Sequence, residues 1–268
     1  MYIISTLCIG NKYEPIFNHW VNRIKQRCNN NDFKIELLNN THILNNYNFD
    51  YNKNSVIWAI RWKNLLELMN TEKTTIVMCD IDIIIEKDIQ PIINLPFDII
   101  FSKEINGNKA YPQHCTSKIG FGICAGFCIY KNSSIKFINK IFEIMKSNKN
   151  TYDDQVIIME YILENYKNIY DEEITLDNNK YTNKIIEIDD IKICVLDFNI
   201  VIRDPIYNNG QYANHINIDN VGGTDNYIKY FYNDLNELPL TCRCGKTWLG
   251  DYNICPHISI KEKFNLNK

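Results

Sequence analysis

Two carboxylates separated by one residue, Asp80 and Asp82, interrupt the run Ile76-Val77-Met78-Cys79-Asp80-Ile81-Asp82-Ile83-Ile84-Ile85. Aspartate is depleted from strands and costly to strip of water, so acids in an otherwise apolar stretch are seldom there for stability. At the end of a buried strand they admit two explanations: hard oxygen ligands for a divalent cation, or a turn whose acids reach water. In α/β sheets ligands bind beyond the carboxyl ends of the strands, which is where these side chains would stand.

A second group of metal-ligating residue types lies near the C-terminus. Thr241-Cys242-Arg243-Cys244-Gly245-Lys246 and Asn253-Ile254-Cys255-Pro256-His257 offer three thiols and one imidazole. Cys242, Cys244, Cys255 and His257 could form a tetrahedral Zn²⁺ site, with Gly245 suiting a knuckle turn; free thiols are the alternative. Of the 10 cysteines, Cys8, Cys79, Cys124, Cys128 and Cys194 sit inside apolar runs and read as small buried hydrophobes rather than disulfide partners.

The elements that must position these groups alternate along the chain. Tyr2 to Ile9 reads as a buried strand ending at Gly10-Asn11, and Tyr13 to Cys28 as a helix with Pro15 near its start. Phe33 to Leu38 is a second strand, and Val56 to Asn70 a second helix that Ser55 can cap. Thr74 to Cys79 has no polar face from Ile76 onward, which marks a strand covered on both sides. Phe97 to Phe101 and Ile123 to Tyr130 follow as strands, then helices from Ser134 to Lys146 and Asp153 to Lys167. Shorter β-like pieces lie at Ile185 to Ile188, Ile193 to Leu196 and Ile200 to Ile202. This alternation predicts an α/β fold with a mixed, mainly parallel sheet flanked by helices. Residues 1–239 form the expected main domain and residues 240–268 a small cysteine-containing tail.

Composition excludes several function classes. With 268 residues, 45% hydrophobic and 23% charged, the chain can bury one sizeable core. Lys+Arg 29 against Asp+Glu 32 gives a net charge of -3, so no broad basic field is available to a nucleic-acid backbone. No apolar run is long enough to be transmembrane, and Met1-Tyr2-Ile3-Ile4-Ser5-Thr6-Leu7 lacks the basic region and cleavage site of a signal peptide. The expectation is a soluble, cytoplasmic protein. Abundant Asn and Ile with very little Ala point to an AT-rich genome.

Two enzyme classes carry a strand-terminal Asp-x-Asp. Haloacid-dehalogenase-like phosphatases use the first Asp as nucleophile and usually have Thr or Val two positions after the second, where Ile84 stands here. They also place the motif close to the N-terminus, whereas two strand and helix units precede it in this chain. Such a phosphatase would need a second acidic pair, for which Asp189-Asp190 is the best placed. A non-enzymatic, zinc-tailed interaction module is the third possibility.

From residue 2 to about residue 230, the order of motifs resembles the GT-A nucleotide-diphosphosugar glycosyltransferases, especially the glycogenin-like and bacterial galactosyltransferase-like groups. The resemblance implies a Rossmann-like GT-A fold and transfer of a sugar from a nucleoside diphosphate, UDP favoured, to a hydroxyl of a glycan, protein or small molecule. It implies Mn²⁺ or Mg²⁺ held by Asp80, Asp82 and His215, with Ile81 and Asp80 beside the donor. Thr6, Cys8, Gly10 and Tyr13 then lie where the base and ribose bind. Lys63, 17 residues before Asp80, matches a basic residue that reaches the donor. Gly122-Ile123-Cys124-Ala125-Gly126-Phe127 resembles the family's Asn-Ala-Gly-Phe strand, in which Ala125 and Gly126 approach the sugar, with Cys124 where Asn is usual. Asp153, Asp154 and Gln155 match the Asp-Gln motif beside the reacting carbon, although an Asp at a helix start is also an ordinary cap. Asn214-His215 followed by Gly222-Gly223 and Lys229 is similar to the terminal His, Gly and Lys cluster at the diphosphate. An acidic general base would give inversion; Gln155 on the sugar's reactive face would give retention.

Overall fold

Apolar sequence alone sets the centre of the molecule. In the computed structural model, which describes residues 1–8, 13–29, 32–44, 55–104, 110–147, 153–203, 212–215, 218 and 224–231, β1 (Tyr2–Thr6), β3 (Ile76–Cys79) and β6 (Ile123–Tyr130) are buried along their whole length. Strands buried at every position, apolar throughout in β3 and β6, have cover on both faces. Around them lie β2 (Phe33–Leu37), β5 (Ile99–Lys103), β7 (Asn168–Leu176), β8 (Asn179–Ile188) and β9 (Ile191–Val195), giving an 8-stranded sheet in the order β2-β1-β3-β6-β5-β9-β8-β7. The pairs β1 with β2, β1 with β3, and β5 with β9 are parallel, and β6 and β8 run against their neighbours. The sheet is therefore the mixed one expected from sequence, with most strands sharing one direction.

Alternation along β3 divides the core. Ile76 and Met78 join a cluster with Leu65 and Met69 of α2 (Ser55–Glu72), Phe137 and Phe142 of α5 (Ile135–Ser147), and Ile158 and Ile162 of α6 (Asp154–Asn165). Val77 and Cys79 face the other side, against Trp20 and Ile24 of α1 (Glu14–Arg27), which begins with Pro in its first turn. A short helix α3 (Gln90–Ile93) and a second, 3-stranded sheet cover the rest of that side: β10 (Val201–Arg203), β11 (Ala213–His215) and β4 (Ile83–Ile85). The remaining helices are α4 (Gln113–Ile119), which ends at Gly120 with φ +83°, a left-handed cap that suits glycine, and α7 (Thr224–Phe231).

The chain extends well beyond the short β pieces read from sequence. Over residues 168–188 it forms a hairpin, β7 with β8, closed by Asp177 and Asn178, both at positive φ. Residue types that tolerate left-handed backbone are the ones a two-residue hairpin loop needs. Cys79, Cys124, Cys128 and Cys194 are buried and not in disulfides, as expected, whereas Cys8 is only half-buried. Among the described residues no helix is long and apolar enough to cross a membrane.

Candidate active site

β3 ends at Cys79, and the next residue begins the site. Asp80 N–H still donates to the carbonyl of Gly126 on β6 at 2.7 Å, so the backbone stays anchored while its side chain leaves the sheet. Ile83 N–H then donates to the Asp80 carbonyl at 3.0 Å, closing a turn over residues 80–83 from which β4 departs. Strand β11 pairs antiparallel with β4 and sets His215 opposite Ile83, the residue after Asp82. A contact between residues far apart in sequence thus follows from one ladder register. His215 Nε2 lies 3.2 Å from Asp82 Oδ1 and 3.8 Å from Asp80 Oδ2.

Ligand atoms of Asp80, Asp82 and His215 all lie within 4.8 Å of one another. The two explanations offered for the acids are therefore not exclusive: they occupy a turn, and they converge with an imidazole. Two carboxylates plus one borderline nitrogen fit Mn²⁺ or Mg²⁺ better than a soft metal. Burial by itself would push the His215 imidazole down, but the Asp82 carboxylate overrides it and holds the group well above its ordinary range. Asp82 thus favours positive charge at this spot.

Strand β6 is shaped around the same spot. A Cβ on Gly126 would stand 2.4 Å from His215 Cε1 and 2.8 Å from Asp80 Oδ2, so the residue must be glycine for the ring and carboxylate to meet over it. Pairing with β5 shifts register between Phe101 and Ser102, which oppose Cys128 and Cys124 respectively. Such an irregularity re-aims side chains and frees backbone groups. The carbonyl of Ala125 is used by Arg61, whose Nη2 donates to it at 2.5 Å.

Arg61 is the residue that sequence reading missed. It lies on α2, is 1% exposed, donates from Nη1 to Asp80 Oδ1 at 2.9 Å and sits 3.6 Å from Asp154 Oδ2. The next residue, Trp62, donates from Nε1 to Asp154 Oδ2 at 3.0 Å. A guanidinium thus joins the turn of β3 to the first turn of α6. Burial raises the Asp154 carboxyl to about 6, against the lowering influence of Arg61 and Trp62. Gln155 is also buried, and its Nε2 donates to the Tyr111 carbonyl at 2.8 Å. Asp153 caps α6, accepting from Val156 N–H at 2.9 Å. Nothing in the local sequence singles Arg61 out from Lys63; its burial and its two carboxylate neighbours come from how α2 packs on the sheet.

Lys63 stands two positions on, which is more than half a turn around the helix. Its Nζ pairs with Glu67 at 2.6 Å and lies 5.6 Å from the Phe142 ring centroid on α5. Ile81 and Ala125 are buried beside the carboxylates. Thr6 ends β1 with a buried hydroxyl that finds no hydrogen-bond partner among the described residues, and Cys8 and Tyr13 are half-buried near it in sequence. Gly10, Gly222, the side chain of Lys229, and the tail residues Cys242, Cys244, Cys255 and His257 lie outside the described residues. Asp189 and Asp190, the acidic pair a phosphatase would require, form the exposed turn between β8 and β9.

Residues 22–216 match the nucleotide-diphospho-sugar transferase family, a span that includes Arg61, Asp80, Asp82, Asp154 and His215. No curated protein matches the chain by sequence. In fold the chain is similar to mouse xyloside xylosyltransferase 1 in its apo form, with a TM-score of 0.52 at 9% identity over 81% of this chain and 98% of that one. It is also similar to an active-site mutant of LgtC, with a TM-score of 0.50 at 11% identity over 77% of this chain and 76% of that one.

Proposed function

The chain belongs to the nucleotide-diphospho-sugar transferase family and is a glycosyltransferase, and from that premise we propose that it is metal-dependent and moves a sugar from a UDP-sugar to a hydroxyl acceptor. The observation that carries this reading is the convergence of Asp80, Asp82 and His215 over Gly126, whose missing Cβ lets the ring and the carboxylate meet. Asp80, Asp82 and His215 would hold Mn²⁺ or Mg²⁺, which offsets the charge that builds on a leaving diphosphate.

The protein's own groups do the rest of the work. Arg61 fixes the Asp80 carboxylate by a charge-assisted bond and holds it in one orientation. Asp154 is gripped by Trp62 and faces Arg61, and Gln155 is oriented by the Tyr111 carbonyl. We assign these two to positioning the reacting partners. Asp153 spends one carboxylate oxygen on the helix cap, which argues against it as the base. Thr6, Cys8, Gly10 and Tyr13 are assigned to the base and ribose, Ile81, Ala125 and Gly126 to the donor, and Gly222 and Lys229 to the diphosphate. The exposed position of Asp189 and Asp190 disfavours the phosphatase alternative.

A panel of UDP- and GDP-sugars tests this directly. Purified protein should release UDP from at least one UDP-sugar, slowly to water and faster with a hydroxyl acceptor, and EDTA should stop the release. Turnover of GDP-sugars alone contradicts the donor assignment, and release indifferent to EDTA contradicts the metal.

A further inference from the structure

Cys124 is buried in β6, 1% exposed, with its Sγ 3.2 Å from His215 Nδ1, and His215 is itself 6% exposed. It touches the nitrogen that faces away from the two carboxylates, because Nε2 is the one turned to Asp82 and Asp80. The sulfur is therefore not placed as a fourth ligand of that group. Its role must be read through the imidazole.

The imidazole has two uses at this position. As a ligand it presents the Nε2 lone pair and carries its proton on Nδ1; as a cation beside Asp82 it carries protons on both nitrogens. Nδ1 bears hydrogen in each form, and a buried N–H needs an acceptor. The Cys124 sulfur stands at hydrogen-bond distance to supply one. Two further features fix its place. Ser102 Oγ donates to the Cys124 carbonyl at 3.1 Å, next to the register shift that sets these residues opposite each other. The missing Cβ of Gly126 leaves room for the edge of the His215 ring against β6.

We propose that Cys124 is a positioning residue for the cation site, its sulfur accepting the Nδ1–H of His215 and so aiming Nε2 at Asp80 and Asp82. The proposal rests on the metal-dependent reading above. Groups that orient a ligating histidine through its second nitrogen typically matter 10- to 100-fold to metal affinity. Here the orienting group is a thiol, so the site's affinity for its cation depends on a side chain that never touches it.

The test measures Mn²⁺ binding, by the loss of the free-ion electron paramagnetic resonance signal, in the presence of UDP, with circular dichroism as the check on folding. Cys124→Val removes the acceptor at similar size and should weaken Mn²⁺ binding roughly 10- to 100-fold. Cys124→Ser keeps an acceptor and should stay within about threefold of wild type. Cys124→Ala repeats the removal with no added bulk in case the valine variant does not fold. Wild-type affinity in the valine or alanine variant overturns the proposal, and so does a folded serine variant as weak as they are. Asp82→Asn, run alongside, separates the two failures. If it loses Mn²⁺ while Cys124→Val keeps it, only the role of Cys124 falls; if it binds as wild type does, the cation site falls and this proposal with it.

Discussion

The end of β3 and the β7–β8 hairpin use the same residue types to opposite effect. Around Asp80 the charges are few and shared across distant segments: Arg61 pairs with a part-exposed Asp80 and faces Asp154, with side chains 2% exposed for Arg61 and 4% for Asp154. Along the hairpin they are many and exposed: Lys184 pairs with Asp171 at 2.8 Å and Lys180 with Glu173 at 2.6 Å, each directly or diagonally across a regular ladder. In water such pairs are screened and contribute little, whereas in a buried setting a charge without its partner is costly. The hairpin's charges keep an edge strand soluble; the site's charges hold a geometry.

The largest expected effect is at Arg61. Arg61→Met keeps much of the bulk but leaves Asp154 buried beside no cation, and should cost about 3–5 kcal/mol in urea unfolding. Adding Asp154→Asn to it should restore a good part of that loss, since the two act through each other. A single variant within about 1 kcal/mol of wild type would show that the pair is not coupled as described.

A smaller effect follows from Asp154 itself. With its carboxyl raised to about 6 from an ordinary 3.8, the folded chain keeps a proton that the unfolded chain has released. Folding then takes up a proton across that interval, so stability falls as pH rises from 3.8 to about 6 and is level above it. Asp154→Asn has no such group. Relative to that variant, wild type should lose roughly 2–3 kcal/mol over the interval, measured by urea unfolding at several pH values. A difference that stays flat with pH would contradict the assignment.

The smallest effect belongs to the hairpin. Lys184→Ala should change stability by less than about 0.5 kcal/mol and should leave donor binding untouched. A loss comparable to that at Arg61, measured the same way, would erase the contrast between the two regions.

This contrast also explains what could be read from the sequence. Strand β6 was legible to the residue, Ile123 to Tyr130, because a wholly apolar run bounded by Gly122 and Lys131 has few other interpretations. Helix α1 was legible from Pro15 and the spacing of its apolar face. The hairpin was only partly legible: Asp171 to Leu176 alternates by exposure, but the exposed positions of β7 are Asn168, Asp171, Glu173 and Thr175, which in a chain this rich in polar residues look like loop. The Asp-x-Asp turn could be placed at a strand end, but its meeting with His215 depends on the β4–β11 register, which no local pattern encodes. Arg61 and Lys63 are equally helical and equally basic in sequence. Which of them faces β3 is decided by the packing of α2 against the sheet, a three-dimensional fact.

The central claim is that Asp80, Asp82 and His215 act together as a cation site for a nucleoside diphosphate. Titration calorimetry of UDP into wild type and Asp82→Asn, each with and without Mn²⁺, tests it most directly. The account predicts Mn²⁺-dependent UDP binding in wild type and its loss in a variant with an unchanged circular dichroism spectrum, because the substitution removes a charged oxygen ligand at a turn and no core contact. Equal Mn²⁺-dependent affinity in the two folded proteins would contradict it.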